Sequence, residues 1–222
     1  MSLKQSYYRY RITFEKAGAA RFIGHLDLQS LFQKAIKRAK LPIAYSEGFN
    51  PHQLLSFAAP LPLGMASKAE ILEIFLIHEM PVFDIITVLN SQMPSGLSVI
   101  GVQEVSAIGK SAAALVRKAV YSITFSDSLD LDEIVNRVMK SESIEVKRKS
   151  KKGMAVIDIR ADIFSLHVAS QRSLHAVLAC GSERNLKPEI LVNYLLEVSE
   201  KAPKDFDITY ERLDTILQSN FL

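Results

Sequence analysis

Residues 7–40 read YYRYRITFEKAGAARFIGHLDLQSLFQKAIKRAK, and the spacing of their apolar positions changes midway. In the first ten, Tyr8, Tyr10, Ile12 and Phe14 fall on one side and Arg9, Arg11 and Thr13 on the other, the period of a strand. From Leu28 the apolar positions are Leu28, Leu31, Phe32, Ala35, Ile36 and Ala39, the stripe of an amphipathic helix. That helix ends before Pro42, whose ring disfavours helical dihedrals at Leu41. A strand followed by a helix is the unit from which the rest is read.

Working outward, a polar loop runs through Pro51, followed by a strand near Gln53 to Ala58, a Pro-Leu-Pro-Leu-Gly turn region and a strand from Lys68 to Ile77. Pro81 suits the first turn of a second helix carrying Val82, Ile85, Ile86 and Leu89, and Leu97 to Val105 reads as a closing strand. The order strand, helix, strand, strand, helix, strand implies a small antiparallel sheet with two helices on one face. After the Ala-rich connector Gly109 to Leu115 the order begins again. A strand at Ala119 to Phe125, a helix from Leu129 to Met139, strands at Phe164 to Ala169 and Leu174 to Cys180, a helix at Pro188 to Val198 and a strand at Ile208 to Ile216 repeat it. An extra hairpin, Ile144 to Ile159, turns at Lys151 to Gly153. The repetition lies in element order, not in residues. Two domains are expected, residues 1–107 and 116–222.

With 222 residues and 48% hydrophobic content the chain can bury a proper core. Its 27 basic and 24 acidic side chains leave a charge of only +3, so any field must come from clustering. Cys180 is the only cysteine, which rules out an internal disulfide, a thiolate zinc site or an iron–sulfur cluster held by this chain alone. There is no secretory leader pattern and no apolar run long enough to span a membrane, so the expected location is the cytoplasm.

The basic cluster is Lys34, Lys37 and Arg38, opposite the apolar stripe of the helix, with Lys40 behind and Arg21 ahead. Such spacing lets neighbouring cations reach phosphates, Arg bidentately. Of the strand residues, Arg9 and Arg11 are expected to be exposed, because alternation turns Tyr8 and Tyr10 inward. His25 and Asp27 flank the helix start, where a carboxylate complements the helix dipole and an imidazole can cap or transfer protons. Tyr45-Ser46-Glu47-Gly48-Phe49-Asn50-Pro51-His52 packs hydroxyl, carboxylate, amide and imidazole groups into one loop, with Gly48 free to take positive φ; Tyr45, Ser46, Gly48, Asn50 and His52 are the candidate ligand contacts. A plain turn with self-satisfied Asn and Ser side chains is the simpler alternative. Neither His25 with His52 nor His167 with His175 has metal-ligand spacing, so no metal is expected. Lys147, Arg148, Lys149, Lys151 and Lys152 decorate the hairpin, as a solvated turn or as an extension of an RNA-binding face. Phosphate-loop, dinucleotide and nucleophile-elbow motifs are absent.

The stretch RFIGHLDLQSLFQKAIKRAKLPIAYSEGFNPHQLLSFAAPLPLGMASKAE, residues 21–70, strongly resembles the opening of the radical-SAM-linked proteins, a bacterial family of unknown function. The pattern is Gly-His-Leu-Asp, a helix ending in a basic Arg-Ala turn, Leu-Pro, Tyr-Ser-x-Gly-Phe-Asn-Pro-His, then Pro-Leu-x-x-Gly. LNSQMPSGLSVIGV and VIDIRADI extend the likeness over essentially the whole chain. Gln33 and Lys37 stand where the family favours Arg. The resemblance implies a domain fused to, or encoded beside, a radical-SAM enzyme that itself carries the iron–sulfur cluster and S-adenosylmethionine. The doubled element order is in turn similar to the tandem ferredoxin-like folds of CRISPR repeat-processing endoribonucleases. The expected architecture is therefore α+β, two tandem ferredoxin-like βαββαβ halves with antiparallel sheets, the second with an extra hairpin. The expected role is a non-catalytic RNA-binding or substrate-presenting accessory. Two alternatives stand beside it, a metal-independent ribonuclease or transferase using His25, and a module that docks on the radical-SAM partner through protein contacts alone.

Overall fold

A computed structural model describes residues 7–150 and 153–218, and the chain is α+β. It divides into two compact units, one running to Val116 and including Leu217 and Gln218, the other Arg117–Ile216.

In the first unit, β1 (Tyr8–Lys16) leads through a 3-10 turn (Gly18–Phe22) to α1 (His25–Arg38), then β2 (Leu55–Phe57), β3 (Ala66–Leu76), α2 (Val82–Asn90), β4 (Leu97–Val105) and the single-turn α3 (Ala112–Leu115). β1 lies between β4 and β3, β2 pairs with β3, and all these pairings are antiparallel. The spatial order is thus β4-β1-β3-β2. Alternation along β1 holds: Tyr10, Ile12 and Phe14 form one core with Phe32 and Ile36 of α1, Leu72, Ile74 and Leu76 of β3, and Ile85 and Leu89 of α2. Phe14 and Phe32 meet with ring centroids 4.8 Å apart in a tilted pair. The hydroxyl of Tyr10 donates to the Met80 carbonyl and accepts from the Met80 N–H, which satisfies the one polar atom that this ring buries.

The ends of α1 explain its length. Gly24 is the N-cap with no side-chain cap bond, so the helix begins three residues before Leu28, where the apolar stripe starts. At the other end the N–H of Leu41 reaches the Ile36 carbonyl and that of Lys40 the Lys37 carbonyl, a Schellman closure. Lys40 takes the left-handed conformation, φ +53°, that glycine usually fills there. Gly96 has the opposite relation to its neighbours: at φ +85° it accepts a hydrogen bond from the Ala17 N–H, and a Cβ on it would lie 2.5 Å from the Ala17 carbonyl oxygen.

The second unit holds β5 (Val116–Phe125), α4 (Leu131–Lys140), β6 (Glu145–Ser150), β7 (Gly153–Asp158), β8 (Ile163–Ser170), β9 (Ser173–Ala179), α5 (Pro188–Val198) and β10 (Ile208–Leu217). Its main strands lie in the order β10-β5-β9-β8, and β6 and β7 form a separate two-stranded sheet, the expected hairpin. Of the turn expected at Lys151 to Gly153, Lys151 and Lys152 lie outside the described residues. Among the described residues there are five α-helices, and none is long and apolar enough to cross a membrane.

Candidate functional site

The start of α1 is built on a buried lysine. Lys16 ends the core side of β1, is 1% exposed, and its Nζ donates to the Ile23 carbonyl at 2.8 Å. Burial pushes its ammonium pKa down, an effect that the Glu70 carboxylate opposes. This bond holds the chain between the 3-10 turn and the helix. His25 is the first helical residue, exposed, with its ring 5.4 Å from Phe57 in an edge arrangement. Its ring has no hydrogen-bond partner among the described residues. Asp27 sits in the first turn, exposed, where its charge complements the helix dipole.

The candidate cations do not form one cluster. Lys34 and Lys37 are exposed on the solvent side of α1 with no ion-pair partner among the described residues. Arg38 is exposed but engaged: its Nε donates to Gln92 Oε1 at 3.1 Å and its Nη2 to the Gln92 carbonyl at 2.9 Å. Arg21 belongs to the opposite end of the helix, in the 3-10 turn, half-buried, with its guanidinium carbon 4.7 Å from the centroid of the Phe22 ring. Twelve helical steps from His25 to Lys37 separate the two ends by roughly 18 Å. Lys34, Lys37 and Arg38 therefore lie toward one end of α1, whereas His25 and Asp27 are in its first turn and Arg21 is in the 3-10 turn before it.

The loop after α1 closes on itself. The N–H of Ser46 donates to the His52 carbonyl at 2.8 Å, the His52 N–H donates to Ser46 Oγ at 3.0 Å, and Ser46 Oγ lies 2.8 Å from His52 Nδ1. Tyr45 and Gln53 form a bridge beside that clasp, and the buried Gln53 amide donates to the carbonyl of Gln33, the residue before Lys34. Ser46 and His52 thus serve each other. Gly48 has φ +110°, and Asn50 is exposed. What the clasp presents is Phe49, fully exposed at the tip, with Tyr45 half-exposed at the base. Sequence reasoning passed over Phe49, although an aromatic flanked by Gly48 and Asn50 in a polar loop has no core to join.

The expectation of an exposed Arg9 and Arg11 is corrected. Arg9 is 3% exposed and Glu73 1%. Arg9 Nη2 lies 2.6 Å from Glu73 Oε2, and Arg11 Nε is 2.8 Å from Oε1. Glu73 Oε2 also accepts the N–H of Ala112 at 2.9 Å, while Arg9 donates to the carbonyls of Lys110 and Ser106. The segment after β4 therefore covers this face of the sheet, which alternation alone cannot reveal. Burial by itself would raise the Glu73 carboxyl pKa, but Arg9, the Ala112 N–H and Arg11 together hold it below its ordinary value.

Among the described residues no group of three or more His, Cys, Asp or Glu side chains is placed to hold a metal ion. No curated protein matches the chain. A family model does, over residues 9–188, a span that includes the clasped loop, α1 and α2 of the first unit and the hairpin of the second. The chain belongs to the family described as "Uncharacterized protein conserved in bacteria (DUF2344)".

Proposed function

We propose that the chain is an RNA-binding or substrate-presenting accessory that serves a radical-SAM enzyme in the bacterial cytoplasm. The partner would hold the iron–sulfur cluster and S-adenosylmethionine, and this chain would hold the RNA. The observation that carries the reading is the pairing of Lys34 and Lys37, exposed and without ion-pair partners among the described residues, with the exposed Phe49 of a loop hooked to α1 one residue before Lys34. Lysines meet phosphates and an open aromatic face stacks a base, the two contacts from which sequence-tolerant binding to single strands is made. The strand orders β4-β1-β3-β2 and β10-β5-β9-β8, the first with α1 and α2 and the second with α4 and α5, support a reading as two tandem ferredoxin-like halves. The test is binding of labelled total bacterial RNA across a salt series. Affinity should fall with rising salt and be weakened in a Lys34→Glu, Lys37→Glu double variant; no binding at low salt ends the proposal.

A second reading has its own observation. Phe22, Leu26 and Leu63 are all well exposed, and Phe22 sits against Gly64, so the start of α1 carries apolar side chains left uncovered among the described residues. They suit docking on a protein partner. Co-purification of a radical-SAM enzyme that survives nuclease treatment and is lost in Leu26→Asp would favour this reading over the first.

A further inference from the structure

The hairpin of β6 and β7 is built as an arm. Its base is tied down by a set of bonds that leave little freedom. Asp158 Oδ1 accepts the N–H groups of Ile144 and Arg160, both at 2.9 Å, and the Ile159 N–H reaches the Ile144 carbonyl at 2.9 Å. The Arg160 guanidinium donates to the carbonyls of Ser141, Ile163 and Met139 at 3.0–3.1 Å. Ile144 and Ile159, each 1% exposed, anchor the two sides.

Beyond that base, among the described residues, the two strands pair only with each other. Lys147 stands opposite Val156, and Arg148 opposite Ala155, so each face of the ribbon carries a cation. Lys147 and Arg148 are exposed, and so are Met154 (67%) and Val156 (59%). A two-stranded ribbon is marginal in water when nothing covers it, and apolar side chains left open on a firmly anchored one call for an occupant.

Charge selects that occupant. The sequence from Val146 to Ile157, VKRKSKKGMAVI, holds five cations and no acid; its flanking acids are Glu145 and Asp158, and Asp158 is occupied with backbone N–H groups. An acidic or neutral protein surface would need matching charges for only part of this run, whereas a nucleic-acid backbone offers phosphates along its whole length. We infer that the β6–β7 ribbon is a second, sequence-independent RNA contact, in which Lys147 and Arg148 meet backbone phosphates while Met154 and Val156 pack against sugars and bases. This rests on the RNA reading given above, but on residues of the other unit.

The experiment compares wild type, K147A/R148A and K34E/K37E, each shown to be folded by circular dichroism, on a labelled stem-loop RNA and on duplex DNA of the same sequence. Loss of two phosphate contacts should weaken RNA binding by about 20-fold near 0.1 M salt and flatten the slope of log affinity against log salt by about 1.4. Conservative K147R should restore the slope. Unchanged affinity in K147A/R148A with weakened binding in K34E/K37E overturns the inference and leaves the α1 reading intact. The reverse pattern supports the ribbon and removes α1 from the contact surface. Tighter binding to the DNA duplex, or no binding to RNA at low salt, overturns the ribbon's assignment to RNA.

Discussion

Two runs of basic residues in the first unit look alike on paper and differ completely in place. Arg9 and Arg11 on β1 share Glu73, and residues 106–112 close over Arg9 and Glu73. Lys34 and Lys37 on α1 face water. A cation on a strand beside an acidic residue of the next strand pairs across the sheet, and Arg11 stands directly opposite Glu73. Among the described residues the lysines on the outer side of α1 have no such partner. The lesson is that a basic run becomes a binding surface only where no element of the fold answers it.

The contrast is broken most sharply at Glu73. A Glu73→Gln variant leaves Arg9 buried without its counter-charge and should lose about 3–5 kcal/mol of unfolding free energy, read from urea denaturation. If the loss is under about 1 kcal/mol, the pair is not the structural clamp described. Arg9→Lys tests geometry rather than charge. A lysine ammonium cannot serve Glu73 together with the Lys110 and Ser106 carbonyls, so about 1–3 kcal/mol should go.

The acid limb sharpens the same point. Because the folded-state pKa of Glu73 lies below its ordinary value of 4.5, the folded protein holds the carboxylate more tightly than the unfolded chain does. Its contribution is fully present above that ordinary value and is lost as pH falls through the lowered folded value. Wild type should therefore lose stability in acid more steeply than Glu73→Gln; parallel curves would refute the assignment. Gln92→Ala, which removes the Oε1 acceptor of Arg38 but keeps the Gln92 carbonyl, should cost no more than about 1 kcal/mol, since that contact is exposed. Smallest of all, Lys34→Glu with Lys37→Glu should change stability by no more than about 0.5 kcal/mol while weakening RNA binding. A large stability loss there would mean that the two runs are not different in kind.

Much of the fold was legible in the pattern of apolar residues. The period change at residues 7–40 placed β1 and α1, and the limits of β4 and α5 fell where the apolar spacing and Pro188 put them. Asp130 as the N-cap of α4 moved that helix start two residues later than its apolar residues suggest, because its side chain accepts the Glu133 N–H. The one-turn α3 lay hidden in what reads as a connector, since a turn of helix held by the Ser111 cap has no period to read. The site was legible in part. The polar loop and the basic side of α1 were marked by composition, but the sharing of Ser46 with His52 and the open position of Phe49 were not.

By itself the sequence determined the order of elements, the apolar side of each and the density of charge, because these follow from local spacing and residue chemistry. Only the tertiary structure decided which charges are answered. Arg9 meets Glu73 across 64 positions and Lys110 across 101, and Lys16 meets the Ile23 carbonyl through a turn rather than along the strand. Pairings at that distance depend on which strands become neighbours and which segment covers a face. Those choices are made by packing the whole unit at once, and no window of sequence contains them.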